Sequence, residues 1–219
     1  MTSRLTVPIR LNTAPTQGGM VIPYITVRHR DGRAHFSTND PRRHHRCLLQ
    51  ARCSVCGQPL ADRLNRQPLP SLIADHAFVL LLRPSDLLQG YSSEPGLHAE
   101  CAAYAERACP MLNGSRTHYR RALDLASDRC TDAACECRGW ANAADIQARA
   151  GARESPFYRI RSPLHTYRLH QEEGGRVRGI RIDARSAETA RLVTPGHPDD
   201  LEVARILLLG LPWQPPATS

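Results

Sequence analysis

The chain contains no lysine: all 29 of its basic Lys+Arg residues are arginine. That absence excludes a Schiff-base lysine, a P-loop lysine and a kinase-type lysine. A GC-rich genome accounts for it more economically than selection for guanidinium chemistry. Aromatic residues make up only 5% of the 219 residues, while proline reaches 17. A core poor in large rings and interrupted by prolines is either divided or supported by something else, and a structural metal is a common support because its binding free energy becomes folding free energy. No G-x-S-x-G, H-E-x-x-H, Walker motif or strand-following G-x-G-x-x-G occurs, and no spacing of Ser, His and Asp picks out a triad. There is no internal repeat. The opening "MTSRLTVPIRLN" has no apolar run of signal-peptide length, and no stretch approaches a membrane span. The expectation is a cytoplasmic protein without membrane attachment, in a compartment where disulfides are disfavoured.

Eight cysteines then need another use. In "RCSVCGQPL", Cys53 and Cys56 have the spacing that lets one turn point two sulfurs at a single ion, and Gly57 suits the tight turn of a zinc knuckle. The other two ligands are sought at His98 and Cys101 in "HAEC", spaced i to i+3 at the start of a helix so that both share one face. Knuckle, hairpin and a helix whose first turn completes the site is the treble-clef order. A redox pair would stand at a helix start after a strand, whereas here an arginine-rich helix precedes and a proline-rich loop follows. Unligated core cysteines would make the His98 and Cys101 spacing a coincidence. A rival pair, His44 and Cys47, has the same spacing close to Cys53, but gives the metal less to organise.

The second cluster, Cys130, Cys135 and Cys137 in "RCTDAACECRGW", lies where apolar residues are scarce and core cysteines are poorly explained. Cys109 would make a fourth sulfur and a second zinc site, although it equally fits a core position on the helix of Cys101. One zinc is expected, with a second possible.

The pattern predicts an α+β fold in four segments: an N-terminal hairpin and short helix (1–50), a treble-clef-like zinc domain (51–112), an irregular cysteine-containing segment (113–156), and a C-terminal hairpin and helix (157–219). "MVIPYITVRHRDGRAHFS" alternates like a hairpin turning at Asp31-Gly32. Asn39 or Asp40 can cap a helix that starts at Pro41 and runs to about Gln50. "AFVLLL" reads as a buried strand, with "RPSD" turning the chain into "LLQGYSS" as a second hairpin. A third hairpin turns at Gly174-Gly175, and Asp199 or Asp200 can cap a last helix that Gly210 ends.

Together "CSVCGQPL", "RPSDLLQGYSSEPGLHAECAAYAERACPML" and "CECRGW" resemble a family of uncharacterised treble-clef-like zinc-binding proteins from high-GC bacteria and their phages. The resemblance covers about residues 20–140. It implies the ligands Cys53, Cys56, His98 and Cys101, and carries no activity.

Four protein ligands make a closed site, whereas catalytic zinc keeps a position for water. The expected role is therefore non-catalytic: an interaction module for nucleic acid or a protein partner. The enzymatic alternative is an HNH-like nuclease with Asp75 and His76 as metal ligand and general base. The helix after Cys101 offers that centre no histidine, so Glu100 or Glu106 would have to substitute. For nucleic-acid contact the candidates are Arg42, Arg43, Arg46 and Arg52 beside the knuckle, and Arg116, Arg120 and Arg121 near Tyr119. The formal charge of +8 favours an anionic partner, although metal-bound thiolates would reduce it. Arginines in a lysine-free chain must also do ordinary surface work.

Overall fold

The structure is a computed structural model that describes residues 6–61, 63–64, 67–68, 76–119, 130–140, 147–194 and 213–214. Within them the chain is mixed α+β, with short helices and small, mainly antiparallel sheets. No helix among the described residues is long and apolar enough to cross a membrane.

A two-residue ladder, β1 (Thr16–Gln17) with β2 (Met20–Val21), turns through Gly18 and Gly19. The hairpin expected next is present as β3 (Thr26–Arg28) and β4 (Ala34–Asn39). Its turn is closed by the His29 amide donating to the Arg33 carbonyl at 2.8 Å and the Gly32 amide donating to the His29 carbonyl at 2.9 Å. α1 (Pro41–Leu49) begins as the sequence predicts: the Asp40 carboxylate accepts from the amides of Arg42 and Arg43, and Pro41 takes the first helical position, where its missing N–H costs nothing.

The knuckle is followed by a minimal hairpin, β5 (Arg63–Leu64) with β6 (Gln67–Pro68), and then by β7 (Ala77–Leu82). The second expected hairpin does not form. Pro84 opens a helix instead, α2 (Pro84–Gln89), because Asp86 accepts from the Arg83 backbone amide at 2.8 Å while its carboxylate takes the Arg83 guanidinium at 2.9 and 3.0 Å. This buried carboxylate, accepting from both the backbone and the side chain of Arg83, turns a turn signal into a helix start. Gly90, at φ 75°, ends that helix, and β8 (Tyr91–Ser92) pairs elsewhere, with β11 (Val177–Arg181). α3 (Ala99–Ala108) carries the alanine-rich segment.

β9 (Phe157–Pro163) and β12 (Thr189–Thr194) are strands for which the sequence reading has no counterpart. They complete a four-stranded sheet in the order β13-β12-β9-β7, where β13 (Trp213–Gln214) runs parallel to β12 and the other pairs are antiparallel. β7 and β9 pair in unbroken register from Ala77↔Pro163 to Leu82↔Tyr158. The expected hairpin at Gly174-Gly175 is β10 (Leu169–Gln171) with β11 (Val177–Arg181). Gly179 is required there, because a Cβ would lie 1.9 Å from the Ser92 carbonyl oxygen. The expected C-terminal helix lies outside the described residues.

One apolar core draws on Leu11, Val21 and Leu48, on Leu60, Val79 and Leu97, and on Tyr158, Ile160 and Ile180. Across its edge, Glu106 of α3 pins the sheet: its carboxylate binds Arg159 of β9 at 3.1 Å and also Arg191 of β12. The carboxylate is only 12% exposed, so its removal leaves two arginines facing each other without a counter-charge. Glu106→Ala should destabilise the fold by about 2–4 kcal/mol, read as a lower urea midpoint at unchanged slope.

Candidate metal centres

The first centre is built from the knuckle outward. The Cys53 amide donates to the Gln58 carbonyl and the Gly57 amide donates back to the Cys53 carbonyl, both at 2.8 Å, which curls 53–58 around the sulfurs. Gly57 sits at φ 75° with the Tyr24 ring 2.6 Å from where a Cβ would stand, so no other residue fits this turn without displacement. The N-terminal segment clamps the outside of the knuckle through Tyr24 N–H to Val55 O (2.8 Å) and Ile25 N–H to Ser54 O (3.2 Å). On its other side Ser54 donates to the Gly96 carbonyl, and Leu97 exchanges two 2.9 Å bonds with Val79 of β7. This anchoring delivers His98 as the N-cap of α3 and Cys101 in its first turn.

The ligand atoms of Cys53, Cys56, His98 and Cys101 all lie within 4.8 Å of one another, and the group could hold a metal ion. The Cys56 sulfur is 3.4 Å from His98 Nδ1. A tetrahedral ion of zinc's size sets S···N edges near 3.5 Å and S···S edges near 3.8 Å. His98 Nε2 lies 2.9 Å from the Pro59 carbonyl. Donation to that acceptor places the proton on Nε2 and leaves the Nδ1 lone pair facing the sulfurs. Cys53 and Cys101 are fully buried.

Without a cation, this group cannot carry its full charge. Burial penalises a Cys53 thiolate, yet hydrogen bonds from Cys101, Cys56 and His98 hold its thiol well below the ordinary range. Cys101 moves far upward, through its bonds to Cys53 and Cys56 and through burial. Against burial, the Cys53 and Cys56 thiolates raise His98 to about 10. Without a metal, Cys101 therefore keeps its proton and His98 takes a second one, on Nδ1, and a metal must displace both.

The second centre was only partly visible in the sequence. Cys130, Cys135 and Cys137 do come together, but the fourth ligand atom belongs to His29 and not to Cys109. His29 stands at the β3–β4 turn, about a hundred residues away in sequence, so no local spacing could announce it. Its Nδ1 is 3.7 Å from the Cys135 sulfur, and the Cys130 and Cys137 sulfurs are 3.6 Å apart, again the edges of a metal tetrahedron and far beyond a disulfide bond. Asp132 shapes the loop by accepting from the Ala134 amide at 2.9 Å, and Trp140 lies against the His29 ring at 4.6 Å. The amide of Cys137, opposed by burial, draws the Cys135 thiol down to about 6, with help from the Arg30 amide and the His29 ring. Cys130 is pushed up to about 11, by burial and then by its bond to Cys135. Cys109 instead caps the C-terminus of α3 with its amide on the Ala105 carbonyl.

Cys47 joins neither group. Its thiol points at the Cys53 carbonyl at 3.8 Å and is pushed up to about 12 by burial and the neighbouring Cys53 thiolate. All eight cysteines are free of disulfides. Of the nuclease candidates, Asp75 lies outside the described residues. His76 is half-buried, with its carbonyl accepting from the Leu164 amide. Both carboxylates that would have to complete such a centre are engaged in ion pairs, Glu100 with Arg10 and Glu106 with Arg159 and Arg191.

The arginines divide. Arg42 and Arg46 are exposed on α1, and Arg43 pairs with Asp40 at 3.5 Å. Arg52 is held against the knuckle, donating to Gln50 Oε1 at 2.8 Å and to the Gly57 carbonyl at 3.0 Å. Arg116 is exposed, the Tyr119 ring is covered by the Arg149 guanidinium at 5.2 Å, and Arg120 and Arg121 lie outside the described residues.

The two centres should fail differently. Cys53→Ser removes a ligand inside the main core and should abolish cooperative unfolding, whereas Cys137→Ser should release one metal equivalent and leave a cooperative melt. Because binding expels protons, a metal at either centre should be held at high pH and lost as pH falls, which a chromogenic chelator can follow. No family model, curated protein or solved structure matches the chain.

Proposed function

We propose that this protein is a zinc-organised, non-catalytic binding module that engages nucleic acid or a protein partner. The observation that carries this reading is closure: each centre gathers three sulfurs and one imidazole nitrogen, a complete tetrahedral set. Such a set leaves no position for a metal-bound water, and three thiolates weaken the ion as a Lewis acid. Zinc is the divalent ion this sulfur-rich tetrahedron suits best.

The knuckle, the minimal β5–β6 hairpin and, after β7, α2 and β8, the helix α3 come in treble-clef order, which is compatible with a treble-clef-like core and with the resemblance to the knuckle proteins of high-GC bacteria and phages. Eight free cysteines, six of them gathered in the two centres, are compatible with a reducing, cytoplasmic setting. The exposed arginines of α1 supply the contact surface.

Protein purified under reducing conditions should contain two zinc ions per chain by elemental analysis. A chain that folds without metal would overturn the reading. Zinc-loaded protein should also leave supercoiled plasmid intact when magnesium or manganese is added; nicking that disappears in His76→Ala would establish a nuclease instead.

A further inference from the structure

Beside the second centre lies a cavity of about 530 Å³ whose walls come from two distant parts of the chain. Arg28, His29, Arg30 and Gly32 of the β3–β4 hairpin form one wall with Arg43 of α1, and Ala134, Cys135 and Glu136 form the other. The acidic groups around it are already assigned. Asp40 pairs with Arg43 at 3.5 Å, Asp132 with Arg30 at 3.4 Å and Glu136 with Arg42 at 3.8 Å. Arg28 is left over: among the described residues no carboxylate lies within ion-pair distance of it, its Nε is buried without a hydrogen-bond acceptor, and Arg43 is close enough to repel it. A buried guanidinium N–H without an acceptor is costly, and an anion entering the cavity would supply one.

We infer that this cavity is a phosphate-binding site for the backbone of a nucleic acid, with Arg28 as its central donor and Arg30 and Arg43 at its sides. The inference rests on the binding-module reading and selects between its two partners. Arginine forks match phosphate oxygens in two-bond geometry. The exposed Arg42 and Arg46, with His45 between them, extend the positive surface along α1 beyond the cavity, as a polyanion longer than one phosphate requires. The second centre is the hinge pin of the site, since His29 and Cys135 each contribute both a ligand atom and a cavity wall. Phosphate affinity should therefore depend on that centre and not on the first.

The test uses full-length, zinc-loaded protein and a fluorescein-labelled single-stranded oligonucleotide, with binding read by anisotropy. Affinity should fall steeply with added salt, Arg28→Gln should weaken it at least tenfold, and the Arg28→Gln, Arg30→Gln double variant should weaken it further. Both variants should keep two zinc ions and the wild-type melt. Cys137→Ser, with the first centre still loaded, should bind as poorly as Arg28→Gln, and inorganic phosphate should compete at millimolar concentration. Binding unchanged in Arg28→Gln would overturn the inference, as would no binding by a folded two-zinc protein. Tighter capture of poly-glutamate than of the oligonucleotide would also overturn it, in favour of an acidic protein surface. Absence of zinc from the wild-type protein would instead defeat the underlying module reading.

Discussion

Three sulfurs and an imidazole held within 4.8 Å in an apolar core cannot all adopt their metal-binding protonation states unless a cation joins them. That electrostatic demand is the constraint on which the rest of the structure depends. The N-terminal segment clamps the knuckle, the Gly96 and Leu97 strand contact places the start of α3, and Glu106, about two turns further along that helix, fixes β9 and β12. Displacing Cys101 would therefore move the carboxylate that orders the sheet. A chain with so few aromatic residues ties its layers together through ligand geometry and ion pairs on one short helix, where a larger core would use area alone.

Local chemistry was legible in the sequence, and long-range pairing was not. Cys53-x-x-Cys56-Gly57 and His98-x-x-Cys101 announce themselves because each pair lies within one turn, and Asp40-Pro41 announces a helix start for the same reason. The missing strands were readable in part: in "FYRIRSP" Tyr158, Ile160 and Ser162 alternate inward with Arg159 and Arg161 between them, a period of two that the surrounding prolines and arginines obscure. The α2 error has a narrower cause. "RPSD" satisfies both a turn and a capped helix start, and the Arg83 guanidinium reaching Asp86 decides between them. His29 is the instructive miss, since its role exists only because the hairpin turn and the 130–137 loop meet.

The two centres have different relations to folding. Cys53 and Cys101 belong to the apolar core, so a metal held there and the core would stand or fall together. The second centre joins a hairpin turn to a loop with little apolar support, and Cys130 remains partly exposed. A metal there contributes by closing a loop of about a hundred residues, an entropic gain that grows only slowly with length. It fixes the relative position of two surface segments without being needed for either to form.

That difference also gives the missing lysines a physical consequence. Arg28 stays cationic next to Arg43 although burial, followed by that neighbour, lowers its pKa. A lysine starts about two units lower, near 10.4, and sheds its proton readily when buried beside another cation. Arg83, buried against Asp86, and Arg159 and Arg191, converging on Glu106, are further guanidiniums at buried or half-buried positions, each of these held by a carboxylate. With arginine as its only strongly basic side chain, the chain can place cations at half-buried positions without neutralising them. A surface cavity can then keep a permanent positive charge beside a metal centre whose thiolates carry the opposite sign.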